Sequence, residues 1–150
     1  REFPGRRDLM SHVVTQPTLG SKAARQAASA AMDKADELGV PVNVSVVDAS
    51  GLPLAFLRAN GAPLHSIHIA EDKAVTAASF GIASGVWDRE VGDVPRLWDS
   101  LVARRGFCAL AGGFPIRVEE DIVGGIGVSG GTEEQDVECA HAGLAALGLS

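Results

Sequence analysis

The stretch Gly124-Gly125-Ile126-Gly127-Val128-Ser129-Gly130-Gly131 constrains this chain more than any other. Its apolar residues, followed by the capping-box pair Thr132 and Gln135, predict a strand that runs straight into a helix. Side chains alternate between the faces of a strand, so Gly125 and Gly127 leave one face bare. Such a face admits either a close-packed helix or a flat ligand. The stretch also matches GxGxxG formally. No acidic residue about 20 positions on and no parallel strand follow, so a dinucleotide site is not expected.

Helical periodicity recurs from Ser21 to Leu38 through Ala24, Ala27, Ala28, Ala31 and Ala35, with Gly39 as a stop. It recurs from about Leu64 to Phe80 through Ile67, Ala70, Ala74, Ala77 and Ala78. A third helix is expected after an Asp93 cap, with Pro95 in its first turn and Leu97, Trp98, Leu101 and Val102 facing inward. The last helix carries Val137, Ala140, His141, Leu144 and Leu147 on its stripe. Val42, Val44 and Val46 alternate with Asn43 and Ser45. Leu52, Leu54, Phe56 and Arg58 alternate again after the turn residues Asp48-Ala49-Ser50-Gly51, predicting a hairpin. Three further strands are expected at Phe107–Ala111, Phe114–Val118 and Ile122–Ser129, with Glu119-Glu120-Asp121 as a turn. The order α-ββ-αα-βββ-α predicts an α+β fold, a mainly antiparallel five-stranded sheet packed with helices. Residues 21–150 are expected to form this single domain, after a polar N-terminal arm (1–20) that is expected to be partly vector-derived.

Composition narrows the function classes. The 150 residues carry a formal charge of −6. The basic residues are scattered, which disfavours a phosphate-backbone partner, so no nucleic acid is expected. Arg104 and Arg105 form the one basic doublet beyond the arm and suit a helix C-terminus. No apolar run approaches the roughly 20 residues of a spanning helix, so no membrane association is expected. Cys108 and Cys139 show no CxxC pairing and no disulfide-dense pattern, which fits a reduced, cytoplasmic setting.

Four ordered blocks then carry a resemblance: Val47-Asp48-x-x-Gly51 with Arg58; Ala70-x-x-Lys73-Ala74-x-Thr76-Ala77; Gly112-Gly113-x-Pro115-Ile116; and the glycine-rich strand with Asp136 in the next helix. Together they resemble the GlcG/HbpS-like family from Ser21 onward. The resemblance implies a central antiparallel sheet, a pocket between sheet and helices, and assembly into homo-oligomers, which the Ala- and Gly-rich helix faces would also favour. Members include haem-binding and iron-sensing proteins, the haem-binding C-terminal domain of corrinoid adenosyltransferases, and proteins encoded beside catabolic operons. The chain departs from the usual pattern by carrying His65 and His68 ahead of Ala70, and Glu120-Asp121 where Asp-Gly is common.

Candidate site residues follow from both lines. His65, His68 and Asp72 share one helical face, which suits a divalent metal or an axial imidazole for haem, or is simply solvated. With no Tyr in the chain, haem ligation falls to His, Cys or Met. His12 belongs to the arm, and His141 is expected in the core or at an interface. Arg58 and Lys73 are candidate cations for propionates or small acids. Gly130, Gly131 and the amides opening the last helix are candidate anion donors, and Gly125 and Gly127 the bare surface. The reading is a small-ligand-binding protein for haem or a related tetrapyrrole. The alternative is an enzyme acting on a small carboxylated metabolite, with Lys73 or Asp136 as acid/base and the Gly130-Gly131 amides as an anion hole. A third possibility is a structural oligomerisation module.

Overall fold

A computed structural model describes residues 9–150. Its elements are α1 (Ser21–Leu38), β1 (Asn43–Asp48), β2 (Pro53–Arg58), α2 (Ser66–Phe80), a 3-10 turn (Ser84–Val86), α3 (Trp87–Val91), α4 (Pro95–Val102), β3 (Gly113–Val118), β4 (Asp121–Ser129) and α5 (Glu133–Ala146). The sheet has the order β2-β1-β4-β3, and every neighbouring pair is antiparallel. Pro53 opens an edge strand, where its missing N–H costs no ladder bond.

Among the described residues the sheet has four strands, not five. Phe107–Ala111 forms no strand because side chains take its backbone groups instead. The Cys108 N–H donates to Thr76 Oγ1 at 3.0 Å, the Ala111 N–H donates to Glu133 Oε1 at 2.7 Å, and the Leu110 carbonyl accepts from Ser84 Oγ at 2.6 Å. A segment satisfied in this way needs no ladder.

One face of the sheet presents Val42, Val44, Val46, Ile126 and Val128 to α1 and α5. Five of the seven alanines of α1 (Ala24, Ala27, Ala28, Ala31, Ala35) are fully buried there. Their small side chains let the helix backbone approach the sheet and α5 closely, so the alanine face is consumed inside the protomer and gives no support to subunit packing. The other face carries α2, with Ala74, Val75 and Ala78 against Val47. Asn43 and Ser45, which alternate with the valines, are buried on this side of the sheet. The domain also begins before α1: Leu19 is in the core, its N–H donates to the Val123 carbonyl at 2.9 Å, and Thr18 Oγ1 accepts from the Ala49 N–H at 3.0 Å.

Two helix expectations need correction. No residue of α4 is buried, and Val94 rather than Asp93 occupies its cap position, without a side-chain bond. On the apolar stripe of α4, Val94, Leu97 and Val102 are exposed, whereas Trp98 and Leu101 are half-buried. On α5 the buried set is Asp136, Cys139, Ala140, Gly143 and Leu144. His141 is exposed, its ring 4.4 Å from that of Phe114. The capping box of α5 forms as expected, with Thr132 and Gln135 each bonding the other's backbone N–H.

Candidate functional site

The candidate cation Lys73 is not at the surface. Its side chain lies inside, with Nζ 3.0 Å from Asp136 Oδ2 and 2.8 Å from the Val128 carbonyl. The other oxygen of Asp136 accepts from the Gly131 N–H at 3.0 Å. Burial pushes the Asp136 carboxyl up from its ordinary value of 3.8, against the opposing pull of Lys73 and of the Gly131 amide. Helix α2, the end of β4 and the first turn of α5 are thus tied at one point. The Gly131 amide already holds a carboxylate, the chain's own, and Lys73 and Asp136 satisfy each other.

The glycine face is occupied as well. A Cβ on Gly125 would run into the Ala74 carbonyl and come within 3.1 Å of Ala78, and one on Gly127 would meet the Ala70 carbonyl and lie 2.6 Å from the Ala74 nitrogen. Helix α2, not a flat ligand, lies directly on this backbone. Gly130 takes a φ of 136°, where a Cβ would approach the Pro41 carbonyl at 2.6 Å.

The remaining candidates gather at the edge of the sheet. Arg58 ends β2 and is the cross-strand partner of Asn43, so both project to the α2 side. Asn43 Nδ2 donates to Ser66 Oγ at 2.8 Å, and Ser66 Oγ donates to the Pro63 carbonyl at 2.6 Å. This chain of bonds fixes the start of α2, and with it exposed His65 and His68, beside the end of β2. Among the described residues Arg58 has no ion pair and no side-chain hydrogen bond. It borders a groove of about 640 Å³ whose lining includes Met32, Asp36, Val40, Pro41 and Leu57.

His68 pairs with Glu71, its Nδ1 3.4 Å from Oε1. Burial, reinforced by Glu71, raises the Asp72 carboxyl, with His68 opposing. Among the described residues no three His, Cys, Asp or Glu side chains are grouped to hold a metal ion. The divalent-metal reading of His65, His68 and Asp72 is therefore not supported. Sequence reasoning missed the Asn43–Ser66 bond, because alternation does not reveal that α2 covers the polar side of β1. It also missed a second cavity, of about 670 Å³, beside Trp98, Leu110 and Val137.

This architecture, an antiparallel sheet with α2 clamped to a glycine-rich strand, is that of a small α+β domain. The family described as "Haem degrading protein HbpS-like" matches residues 19–145, and the chain belongs to that family. It superposes on a solved structure of HbpS with a TM-score of 0.84 and 36% identity, covering 91% of this chain and 95% of that one. It superposes on a PduOC:heme complex with a TM-score of 0.77 and 31% identity, covering 89% and 97%. It is 32% identical over 133 residues to the corrinoid adenosyltransferase PduO of Citrobacter freundii, covering 88% of this chain but only 40% of that relative. It is also 34% identical to an uncharacterised 15.0 kDa protein of the dhaT-dhaS intergenic region of Citrobacter freundii, covering 85% and 90%. No helix among the described residues is long and apolar enough to cross a membrane.

Proposed function

We propose that this protein binds haem or a related tetrapyrrole without transforming it, in the groove bordered by Arg58. The observation that carries this reading is the contrast between the two candidate cations. Lys73 is fully engaged inside the protein, whereas Arg58 is exposed and, among the described residues, without an ion pair at the rim of a groove of about 640 Å³. That volume lies within the range of about 300–1,000 Å³ usual for small-molecule sites.

The donor set fits haem. A guanidinium pairs carboxylates in a bidentate manner and suits propionates. Met32, Val40, Pro41 and Leu57 supply apolar wall for a macrocycle. His65 and His68 lie on the α2 side of the sheet and reach a ligand in this α1-side groove only around the end of the edge strand β2. Haem, when bound, would supply an iron that an imidazole or thioether side chain can ligate. Among relatives, the PduOC:heme complex carries the same fold.

Haem titration followed by Soret absorbance tests the reading. Saturable binding is expected, with Arg58→Ala weakening it about tenfold, the loss of one charge-assisted contact of about 1.5 kcal/mol. His65→Ala with His68→Ala is expected to shift the Soret band. Absence of a saturable Soret change, with thermal stabilisation by small organic acids instead, would overturn the haem reading in favour of an acid-binding site.

A further inference from the structure

The groove that Arg58 borders contains one side chain able to hold iron through a soft donor. Met32, Ala35, Asp36 and Gly39 fall at the i, i+3, i+4, i+7 spacing of one helical face, and that face of α1 lines the groove together with Leu57 of β2. Met32 is half-buried, packed partly against the core and partly open to the groove. The other His, Cys and Met side chains of the described residues lie elsewhere. Cys139 is fully buried, and the Cys108 N–H is bonded to Thr76 of α2. His141 stands beside Phe114 on β3, the edge of the sheet opposite β2. Met10 and His12 precede Leu19, whose N–H bonds the Val123 carbonyl at the end of the sheet away from Asn43 and Arg58. His65 and His68 lie on the α2 side of the sheet.

We propose, resting on the haem reading above, that Met32 is an axial ligand of haem iron in this groove, through its thioether sulfur. The sulfur is carried by the wall against which the macrocycle would lie, so it needs no path around a strand. Asp36, one turn further along the same face, offers a hard carboxylate that suits iron in a haem less well than a soft thioether does. A neutral thioether raises the reduction potential of a haem, so the bound group is biased toward the ferrous state. The opposite axial position is left to His65 or His68 reaching around the end of β2.

Haemin added to the full chain, with the methionine methyl groups isotopically labelled and the complex then reduced, tests this. The chain has two methionines, so Met10 serves as the internal control. The Met32 methyl resonance is expected to move far upfield in the ring current of the macrocycle while that of Met10 stays. Met32→Leu keeps the size and apolar character of the wall. Its circular dichroism and a saturable Soret titration are therefore expected to persist, while the spectrum of the reduced form changes and the midpoint potential falls. A Met32 methyl that stays at its haem-free position, or a Met32→Leu protein with the wild-type potential and reduced spectrum, would overturn the assignment of Met32 and, with Soret titration still saturable, leave the haem reading standing. No saturable Soret change in the wild type would overturn both.

Discussion

Lys73 and Asp136 form an ion pair of 3.0 Å with side chains only 2% and 4% exposed, joining α2 to α5 through the interior. Desolvating two charges is expensive, and the pair persists because the Val128 carbonyl and the Gly131 N–H complete its hydrogen bonding. Removing one partner leaves the other buried and uncompensated. Lys73→Met is expected to cost about 3–5 kcal/mol in urea unfolding, whereas Lys73→Met combined with Asp136→Leu is expected to recover most of the loss. Equal costs for the single and double variants would show that the pair contributes nothing as a unit.

The pH dependence of this carboxyl runs opposite to the usual aspartate. Its folded-state pKa is raised above 3.8 by burial, so the folded protein holds the proton more tightly than the unfolded chain. Between 3.8 and the raised value the folded state therefore binds more protons, and this contribution to stability falls as pH rises. Comparing wild type with Asp136→Asn by denaturant unfolding should show the difference moving in favour of wild type as pH is lowered toward 3.8. Movement in the other direction would mean that Lys73 outweighs desolvation.

Local signals were the legible part of this fold. The Thr132–Gln135 capping box, the stop at Gly39 with its φ of 69°, and the hairpin across Asp48–Gly51 depend on neighbours in sequence and form as read. The Phe107–Ala111 segment was misread because its partners, Thr76, Ser84 and Glu133, come from three distant places. Periodicity marks an apolar stripe but not what it faces, so α4 looked like a core helix. At the site, the sequence singled out Arg58, Lys73 and the glycines together. Only tertiary pairing separates Arg58, left at a groove, from Lys73, Gly125, Gly127 and Gly131, engaged in holding α2 and α5.

The two cysteines should differ in reactivity. Cys139 is fully buried, and burial, with help from Asp136 and Glu138, pushes its thiol up to about 11. Cys108 is half-buried and its thiol is also raised by burial. A thiol reagent at neutral pH is expected to modify Cys108 first and Cys139 only on unfolding. Because the unfolded thiol ionises near 9.0 and the folded one near 11, stability should fall as pH rises through that window, and Cys139→Ala should flatten the fall. Native labelling of Cys139 at the rate of Cys108 would contradict its burial.

The glycine strand and the buried pair should prove to be one device. A Cβ at Gly127 would strike the Ala70 carbonyl and lie 2.6 Å from the Ala74 nitrogen, both backbone atoms of α2 that no rotamer change can move aside. Gly127→Ala must therefore lift α2 from β4, at a cost of about 3 kcal/mol by the overpacking scale. Lys73 lies on the lifted helix, so the same movement stretches its bonds to Val128 and Asp136. Asp136→Asn breaks the pair by a different route. If the two sites share this contact, their combined cost in a double-mutant cycle is smaller than the sum of the single costs by about 0.5–3 kcal/mol. Strict additivity would show that the glycine face and the ion pair hold α2 independently.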